Sequence, residues 1–132
     1  MTDINYRFPK KYRLKENAAF QRVYNAKQAK GDAHLLIFAA RNSVGYTRLG
    51  VSVSRKVDNA VARARFKRCL REAFRLEYSA LPVGLDLILI PRRGTTADTD
   101  TYRASLRKLM KQLTELITRN DRRSSRNQET NR

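Results

Sequence analysis

The chain has 132 residues, of which 41% are hydrophobic and 31% are charged, so its length suits a single domain with a modest core. Its formal net charge of +17 comes from 29 Lys and Arg against 12 Asp and Glu, an excess that repels itself unless a polyanion such as nucleic acid neutralises it. One cysteine excludes an internal disulfide and zinc-finger spacings, and no apolar run of spanning length or signal peptide is visible, which predicts a soluble, cytoplasmic protein with no membrane partner.

The N-terminal segment, residues 1–15, is strongly basic and is interrupted by Pro9, which predicts an extended basic arm. In residues 16–27 the apolar side chains recur at helical spacing. Phe20 and Tyr24 lie four residues apart on one side of this predicted first helix.

Two strands are predicted next. Residues 34–40 form a continuous apolar run of strand length. In residues 47–54, Leu49, Val51 and Val53 alternate with small or polar residues, which is typical of a strand with two different faces. The small, polar face either admits a close ligand backbone or is an ordinary solvated sheet face, and the pattern does not choose between them.

A long amphipathic helix follows, with Asn59 as its predicted N-cap and an end near residue 77. Like charges four residues apart destabilise a helix by a few tenths of a kcal/mol per pair, and Glu72 is the only acidic residue within this helix before its end. A charge run is usually a solvated face with mixed signs, so this one-sided set favours nucleic acid contact. The cations are Arg63, Lys67, Arg71 and Arg75, spaced i, i+4, i+8 and i+12, with Arg65 and Arg68 beside them.

The remaining elements are an apolar strand at 85–90 and a last amphipathic helix at 99–118. Residues 119–132 are polar and charged, which predicts a basic, disordered tail. The order is that of one α+β domain, a two-layer αββαβα arrangement over residues 1–118.

Residues for a catalytic site of the chain's own are poorly represented. Cys69 and His34 are the only cysteine and histidine, and they are interpreted as a core residue and an ordinary residue near a strand start. Asp98 and Asp100 form the densest acidic group, but they lie where helix-capping residues belong. We therefore expect neither a catalytic residue nor a metal ligand in this chain.

Three segments resemble the bacterial ribonuclease P protein component family. The segment Arg48 to Arg75, RLGVSVSRKVDNAVARARFKRCLREAFR, resembles the family signature. RLKENAAFQRVY at 13–24 is similar to the family's first helix, and GLDLILIPR at 84–92 is similar to its third strand with the arginine that follows. The resemblance implies a ribosomal protein S5 domain 2-like fold with a left-handed βαβ crossover, although about 98% of such connections are right-handed.

This chain departs from the family pattern at two positions. The family's Arg-Asn-Arg motif falls on Arg63, Ala64 and Arg65, so the hydrogen bond of the asparagine is lost while both cations remain. Asp58 stands where the family usually has glycine. An acidic residue near a helix N-terminus is easily tolerated there.

The resemblance implies that the chain is the protein subunit of ribonuclease P, which removes the 5′ leader of precursor tRNA in tRNA maturation. The RNA subunit, with its bound Mg²⁺, would carry out the endonuclease chemistry, and this chain would bind that RNA and the precursor tRNA, with no DNA partner expected. The residues implied to bind the RNA subunit are Arg55, Lys56, Arg63, Arg65, Lys67, Arg68, Arg71 and Arg75.

The same resemblance implies a cleft for the leader between the first helix and the sheet. Aromatic faces stack unpaired bases at about 1 to 3 kcal/mol each without reading their sequence. Core packing is the alternative role for Phe20 and Tyr24. The implied cleft residues are Phe20, Tyr24, Phe38, Ser52 and Arg92.

Two other functions compete with this one. A general or ribosomal RNA-binding protein would share the basic composition and a similar fold without a role in cleavage. A nuclease acting unaided would cut RNA without an RNA partner.

Overall fold

The computed structural model describes residues 9–55 and 59–130, and three helices and four strands lie within them. The helices are α1 (Asn17–Asn25), α2 (Ala60–Glu77) and α3 (Thr99–Thr130); the strands are β1 (Ala29–Gly31), β2 (Leu35–Arg41), β3 (Arg48–Val51) and β4 (Leu85–Pro91). Short 3₁₀ turns lie at Lys10–Tyr12 and Tyr78–Ala80. The α+β class and the order of the six predicted elements are confirmed.

The strands form one sheet in the order β1-β2-β4-β3. β2 and β4 pair antiparallel over their full lengths, whereas β3 pairs in parallel with β4. A parallel pair needs a crossover connection, and α2 lies in it. The left hand of that crossover stays a prediction.

β1 is the element that the sequence did not predict. It pairs antiparallel with β2, from Ala29 opposite Phe38 to Gly31 opposite Leu36. Three residues are too few for a periodic pattern, and the turn before β1 uses Lys27 at φ 56° rather than a glycine. Pairing with β2 therefore creates this strand without a local signal.

Both faces of the sheet are covered. On one face, side chains of β2 and β4 pack with Leu70 and Phe74 of α2 and with Leu106 and Leu109 of α3, all of them inaccessible to solvent. The predicted two layers are this sheet and these two helices. On the opposite face α1 covers a smaller cluster and adds a partial third layer.

The predicted extended arm is wrong for the described residues 9–15. Leu14 is buried, and its N–H donates to the Leu49 carbonyl at 2.9 Å, while Arg13 forms a parallel bridge with Leu49. Leu14 and the partly buried Tyr12, whose ring contacts those of Tyr46 and Tyr78, thus fix this basic stretch beside β3. Residues 1–8 of the arm lie outside the described residues.

The predicted disordered tail is corrected as well, because α3 continues from residue 119 to Thr130. Ile117 is buried, the Asn120 amide donates to Gln28 at 3.0 Å, and Asp121 accepts from the Arg41 Nε at 2.7 Å. Polar contacts of Asn120 and Asp121 hold the helix where this segment begins, and hydrophobic periodicity does not detect them.

Candidate nucleic-acid interface

α2 begins where the sequence predicts it. The Asn59 side chain accepts a hydrogen bond from the Ala62 N–H at 2.9 Å, which confirms the N-cap. Phe66, Leu70 and Phe74 are buried toward the sheet and α3. The opposite side of α2 is therefore held outward by packing of its apolar face.

Arg63, Lys67, Arg71 and Arg75, spaced four residues apart, form a stripe of cations along α2. This four-residue stripe is not the most exposed part of the helix. Each step of four residues turns about 40° beyond a full circle, so Arg63 and Arg75 point about 120° apart. All four residues of the stripe are partly buried along its course. The exposed residues of α2 are instead Ala60, Val61, Ala64, Arg65, Arg68 and Leu76.

Three of the predicted RNA-binding cations have contacts within the protein. Arg75 pairs with Glu72 through two hydrogen bonds, at 3.2 and 2.5 Å. Arg63 Nη1 donates to the Arg55 carbonyl at 3.3 Å, which ties the start of α2 to the end of the preceding loop. Burial lowers the pKa of Arg71, and the positive charge of Arg13 lowers it further.

Arg65 and Arg68 are the predicted cations best placed for an anionic partner. Both are exposed, and in residues 9–55 and 59–124 no carboxylate lies within ion-pair distance of either one. Lys67 lies between them and is partly buried. Arg55 is exposed, while Lys56 and Asp58 fall outside the described residues.

On the α1 side of the sheet, side chains from β2, β4 and the β3 strand line up in three rows. The strand register and the hydrogen bond from the Ser52 N–H to the Leu89 carbonyl at 3.0 Å fix the rows. They contain Ala40, Asp86 and Arg48; then Phe38, Ile88 and Gly50; then Leu36, Ile90 and Ser52.

α1 lies across the first two rows. A Cβ on Gly50 would lie 2.7 Å from the Phe20 Cζ, so the small residue in β3 admits the Phe20 ring. The rings of Tyr24 and Phe38 meet edge to face, with centroids 5.0 Å apart. The small residues of β3 thus do permit a close approach, but at Gly50 the group that approaches is the Phe20 ring of the protein itself.

The third row lies beyond these contacts with α1 and is partly exposed, and we refer to it, together with the α1 side chains beside it, as the cleft. Ile90 and Ser52 are only partly buried. Arg92 lies at the end of the cleft, exposed, with its Nε donating to the Asp32 carbonyl at 3.1 Å. Phe20 and Tyr24 pack against the small core under α1, yet both keep part of their surface in solvent. Of the five predicted cleft residues, Phe20, Tyr24 and Phe38 therefore belong to one small cluster under α1, while the strand register places Ser52 and Arg92 farther along the sheet.

A buried carboxylate fixes α1 to the sheet, and sequence reasoning did not single it out. Asp86 is fully buried and accepts hydrogen bonds from Arg22, Asn42 and Arg48. Arg48 donates through Nε and Nη2, both at 2.8 Å, and this bonding raises its pKa. The signal was present, because an aspartate inside an apolar strand must find partners when it is buried. Arg48 belongs to the basic run in sequence but serves the fold.

Sequence reasoning also missed a basic concavity of about 450 Å³ at the start of α1. It arises because residues 9–15 pack against β3 instead of extending into solvent. The cations that line it are Lys10, Arg13, Lys15, Arg22 and Arg48.

The described residues offer little for chemistry of the protein's own. Within them, no three His, Cys, Asp or Glu side chains come together to hold a metal ion. Cys69 packs partly buried against the core, and His34 is exposed just before β2. No helix in that part of the chain is long and apolar enough to cross a membrane.

Comparison with known proteins gives one consistent result. The family model described as Ribonuclease P matches residues 8–114. The ribonuclease P protein component of Brevibacillus brevis is 39% identical over 102 residues, covering 76% of this chain and 81% of that relative. The Staphylococcus aureus RNase P protein structure superposes with a TM-score of 0.67 at 34% identity, covering 76% of this chain and 93% of that one. The RNase P protein from Thermotoga maritima superposes with a TM-score of 0.67 at 29% identity, covering 76% of this chain and 96% of that one.

Proposed function

The chain belongs to the bacterial ribonuclease P protein component family, and we propose that it binds the catalytic RNA subunit and the 5′ leader of precursor tRNA, promoting endonucleolytic removal of the leader. One observation carries this proposal. The exposed cations Arg65 and Arg68 lie in the first half of α2, a helix that starts after the end of β3, and Ser52 of the partly exposed third row directly follows that same strand end. One RNA surface can therefore meet both.

The cationic face of α2 supplies affinity for the RNA subunit. Arginine makes charge-assisted, bidentate hydrogen bonds to phosphate, and the counterions released from RNA make such binding dependent on salt concentration. Contacts to phosphate position a protein without reading sequence. Arg65 and Arg68 have the exposure that these contacts need.

The cleft beside α1 holds the leader. The partly exposed Tyr24 and Phe38 rings offer apolar faces and edges to unpaired bases, and Arg92 adds a cation at the end of the cleft. Stacking tolerates any base, which suits leaders that differ in sequence. Ser52 is small enough to let the leader backbone come close to the sheet.

Magnesium ions held by the RNA subunit would activate water and stabilise the leaving oxygen when bound. The contribution of this chain is binding and positioning, because the exposed groups of its interface are cations and aromatic rings. We place this activity in the cytoplasm, where the RNA subunit and precursor tRNA would be encountered.

Reconstitution tests the proposal against both rival functions. Purified protein is added to a precursor tRNA with and without the cognate ribonuclease P RNA at low magnesium concentration, and leader release is followed. We expect the protein to stimulate cleavage by the RNA and to produce none alone. Cleavage by protein alone would indicate an unaided nuclease, and RNA binding without stimulation would indicate a general or ribosomal RNA-binding protein.

A further inference from the structure

The C-terminal part of α3 carries a group of arginines that the proposed interface does not use. Arg119, Arg122 and Arg123 are exposed and follow one another at i, i+3 and i+4, so their side chains lie on one side of the helix. No carboxylate among residues 9–55 and 59–124 is within ion-pair distance of them. Like charges at these spacings destabilise a helix, which makes the group a place where an anion would bind favourably.

The opposite side of the same helical turns is fixed to the body of the protein. Ile117 is buried, Asn120 donates to Gln28, and the Asp121 carboxylate is occupied by Arg41 at 2.6 Å. Asp121 therefore does little to neutralise the arginines. Among the side chains described up to residue 124, Glu115, one turn before Arg119, is the remaining acidic group beside the arginines, so cations exceed acids there by two.

This arginine group and the start of α2 lie at opposite ends of the sheet, and Arg65 and Arg68 follow that start within the first half of the helix. Asp121 contacts Arg41 at the last residue of β2, whereas α2 starts after the last residue of β3. β2 runs antiparallel to β4, and β3 runs parallel to β4, so those two strand ends point in opposite directions. A seven-residue strand such as β2 spans about 20 Å. A ligand that reaches both ends must be large and must carry many negative charges, and a folded RNA has both properties.

We propose that Arg119, Arg122 and Arg123 form a second RNA-binding surface, which contacts phosphates of the same RNA subunit that α2 binds. The inference rests on the proposed function for the identity of that RNA. It concerns residues beyond 114, where the match to the family model ends. The surface adds affinity through phosphate contacts and leaves the leader cleft unchanged.

The test compares three variants of the full chain in binding to a transcript of the cognate ribonuclease P RNA over a range of salt concentrations. The first is R119A/R122A/R123A, in which alanine keeps the helix favourable. The second, R119K/R122K/R123K, keeps the charges. The third, R65A/R68A, removes the α2 cations. Far-UV circular dichroism checks that each variant keeps its helix content.

We expect the alanine variant of α3 to bind more weakly and to make the slope of log K against log salt shallower by about 2 to 3, since each lost phosphate contact removes about 0.7 to 0.9. The lysine variant should keep most of the slope. If only R65A/R68A changes the slope, the second surface is refuted and the proposed function stands. If neither R119A/R122A/R123A nor R65A/R68A changes the salt slope, the second surface and the proposed function are both refuted. Vesicles of phosphatidylserine and phosphatidylcholine provide a further arm: loss of vesicle binding with an unchanged RNA slope would assign the arginines to a membrane and overturn the inference.

Discussion

Asp86 is the residue whose burial most constrains the interface, because it joins α1, β3 and the turn after β2 through one carboxylate. Removing one partner of a buried ion pair costs about 3 to 5 kcal/mol, since the other charges stay buried. Arg22 keeps 45% of its side chain exposed, so we expect Asp86→Asn to lower the free energy of unfolding by about 3 kcal/mol. Urea denaturation measures this loss.

The exposed pair of Asp121 and Arg41 supplies a matched control for that substitution. Both of its side chains are at least half exposed, and surface pairs contribute about 0 to 1 kcal/mol. Asp121→Asn should therefore change the free energy of unfolding by less than about 1 kcal/mol. If Asp86→Asn and Asp121→Asn lowered the free energy of unfolding equally, burial of Asp86 would not be what makes its contribution to stability large.

Glu77 gives the stability of the protein a defined pH dependence. Hydrogen bonds from Arg107 and Arg103 lower the pKa of this carboxyl from 4.5 to about 2. A carboxyl with a lowered pKa in the folded state stabilises the fold above its unfolded pKa, and that contribution is lost as the pH falls from about 4.5 towards 2. We expect wild type to exceed Glu77→Gln in free energy of unfolding at pH 6, and the difference to shrink steadily below pH 4.5. Urea titrations at several pH values test this, and a constant difference would contradict it.

Ala64 is exposed at the middle of the family's Arg-Asn-Arg motif, so restoring the family residue is a direct test of what the departure costs. We expect Ala64→Asn to strengthen binding of the RNA subunit by about 1 kcal/mol, the usual net value of one hydrogen bond. Stability should fall by about 0.5 kcal/mol, because asparagine is the poorer helix former. Val61→Asn, at a position 80% exposed one turn earlier, serves as the control. A similar gain from both variants would point to a nonspecific effect of added polarity.

At the scale of elements, α1 forms one wall of the cleft, because it packs on one face of the sheet beside the partly exposed third row. Its Tyr24 ring contacts Phe38 and remains partly exposed beside that row. We expect Tyr24→Ala to reduce the preference for precursor over mature tRNA by about 1 to 3 kcal/mol, the value of one base stacked on an aromatic ring. Binding assays with the two tRNAs and the RNA subunit measure this preference. Tyr24→Phe keeps the ring and should retain most of it, whereas equal weakening of RNA-subunit binding by Tyr24→Ala would indicate a folding defect.

Elements with a strong periodic pattern were predictable, and elements held by polar or long-range contacts were not. α2 was located from its N-cap Asn59 and its apolar face, and β4 from its apolar run. β1 exists because it pairs with β2. The turn of α3 just after residue 118 is held by polar contacts of Asn120 and Asp121. Neither kind of contact leaves a local periodicity in sequence.

The candidate interface shows the same division. The resemblance to a family implied the cleft residues, and the structure places Phe20, Tyr24 and Phe38 in one small cluster under α1, while binding of the leader by these residues stays a prediction. The sequence could not show that Arg48 is bound by Asp86 or that Arg75 is paired with Glu72. The four-residue spacing itself implies that the stripe winds around α2, but how far each of its cations is buried depends on the packing of the helix.

For the whole molecule, the distribution of charge matters more than its total of +17. Several cations are paired within the fold, among them Arg103 and Arg107 with Glu77 and Lys108 with Asp32. Others are exposed with no carboxylate at ion-pair distance among the described residues. They include Arg65 and Arg68 on α2 and Arg119, Arg122 and Arg123 on α3, and also Lys10, Lys11, Lys15, Lys27, Arg92, Arg93 and Lys111. A polyanion that binds the chain should therefore depend on exposed cations such as these and little on cations that already have partners.

Removing one positive charge from α2 and, separately, one from α3 tests whether the placement of a cation decides its contribution to RNA binding. We expect Arg65→Ala or Arg68→Ala to weaken binding of the RNA subunit and to reduce its salt slope by about 0.7 to 0.9, because each removes one phosphate contact. Arg103→Ala removes the same charge from a guanidinium that bonds Glu77 at 2.7 Å, and it should leave the slope unchanged. Filter binding at several salt concentrations distinguishes the cases. If Arg103→Ala reduced the slope as much as Arg65→Ala, binding would follow net charge alone, and the placement of the α2 cations would not matter.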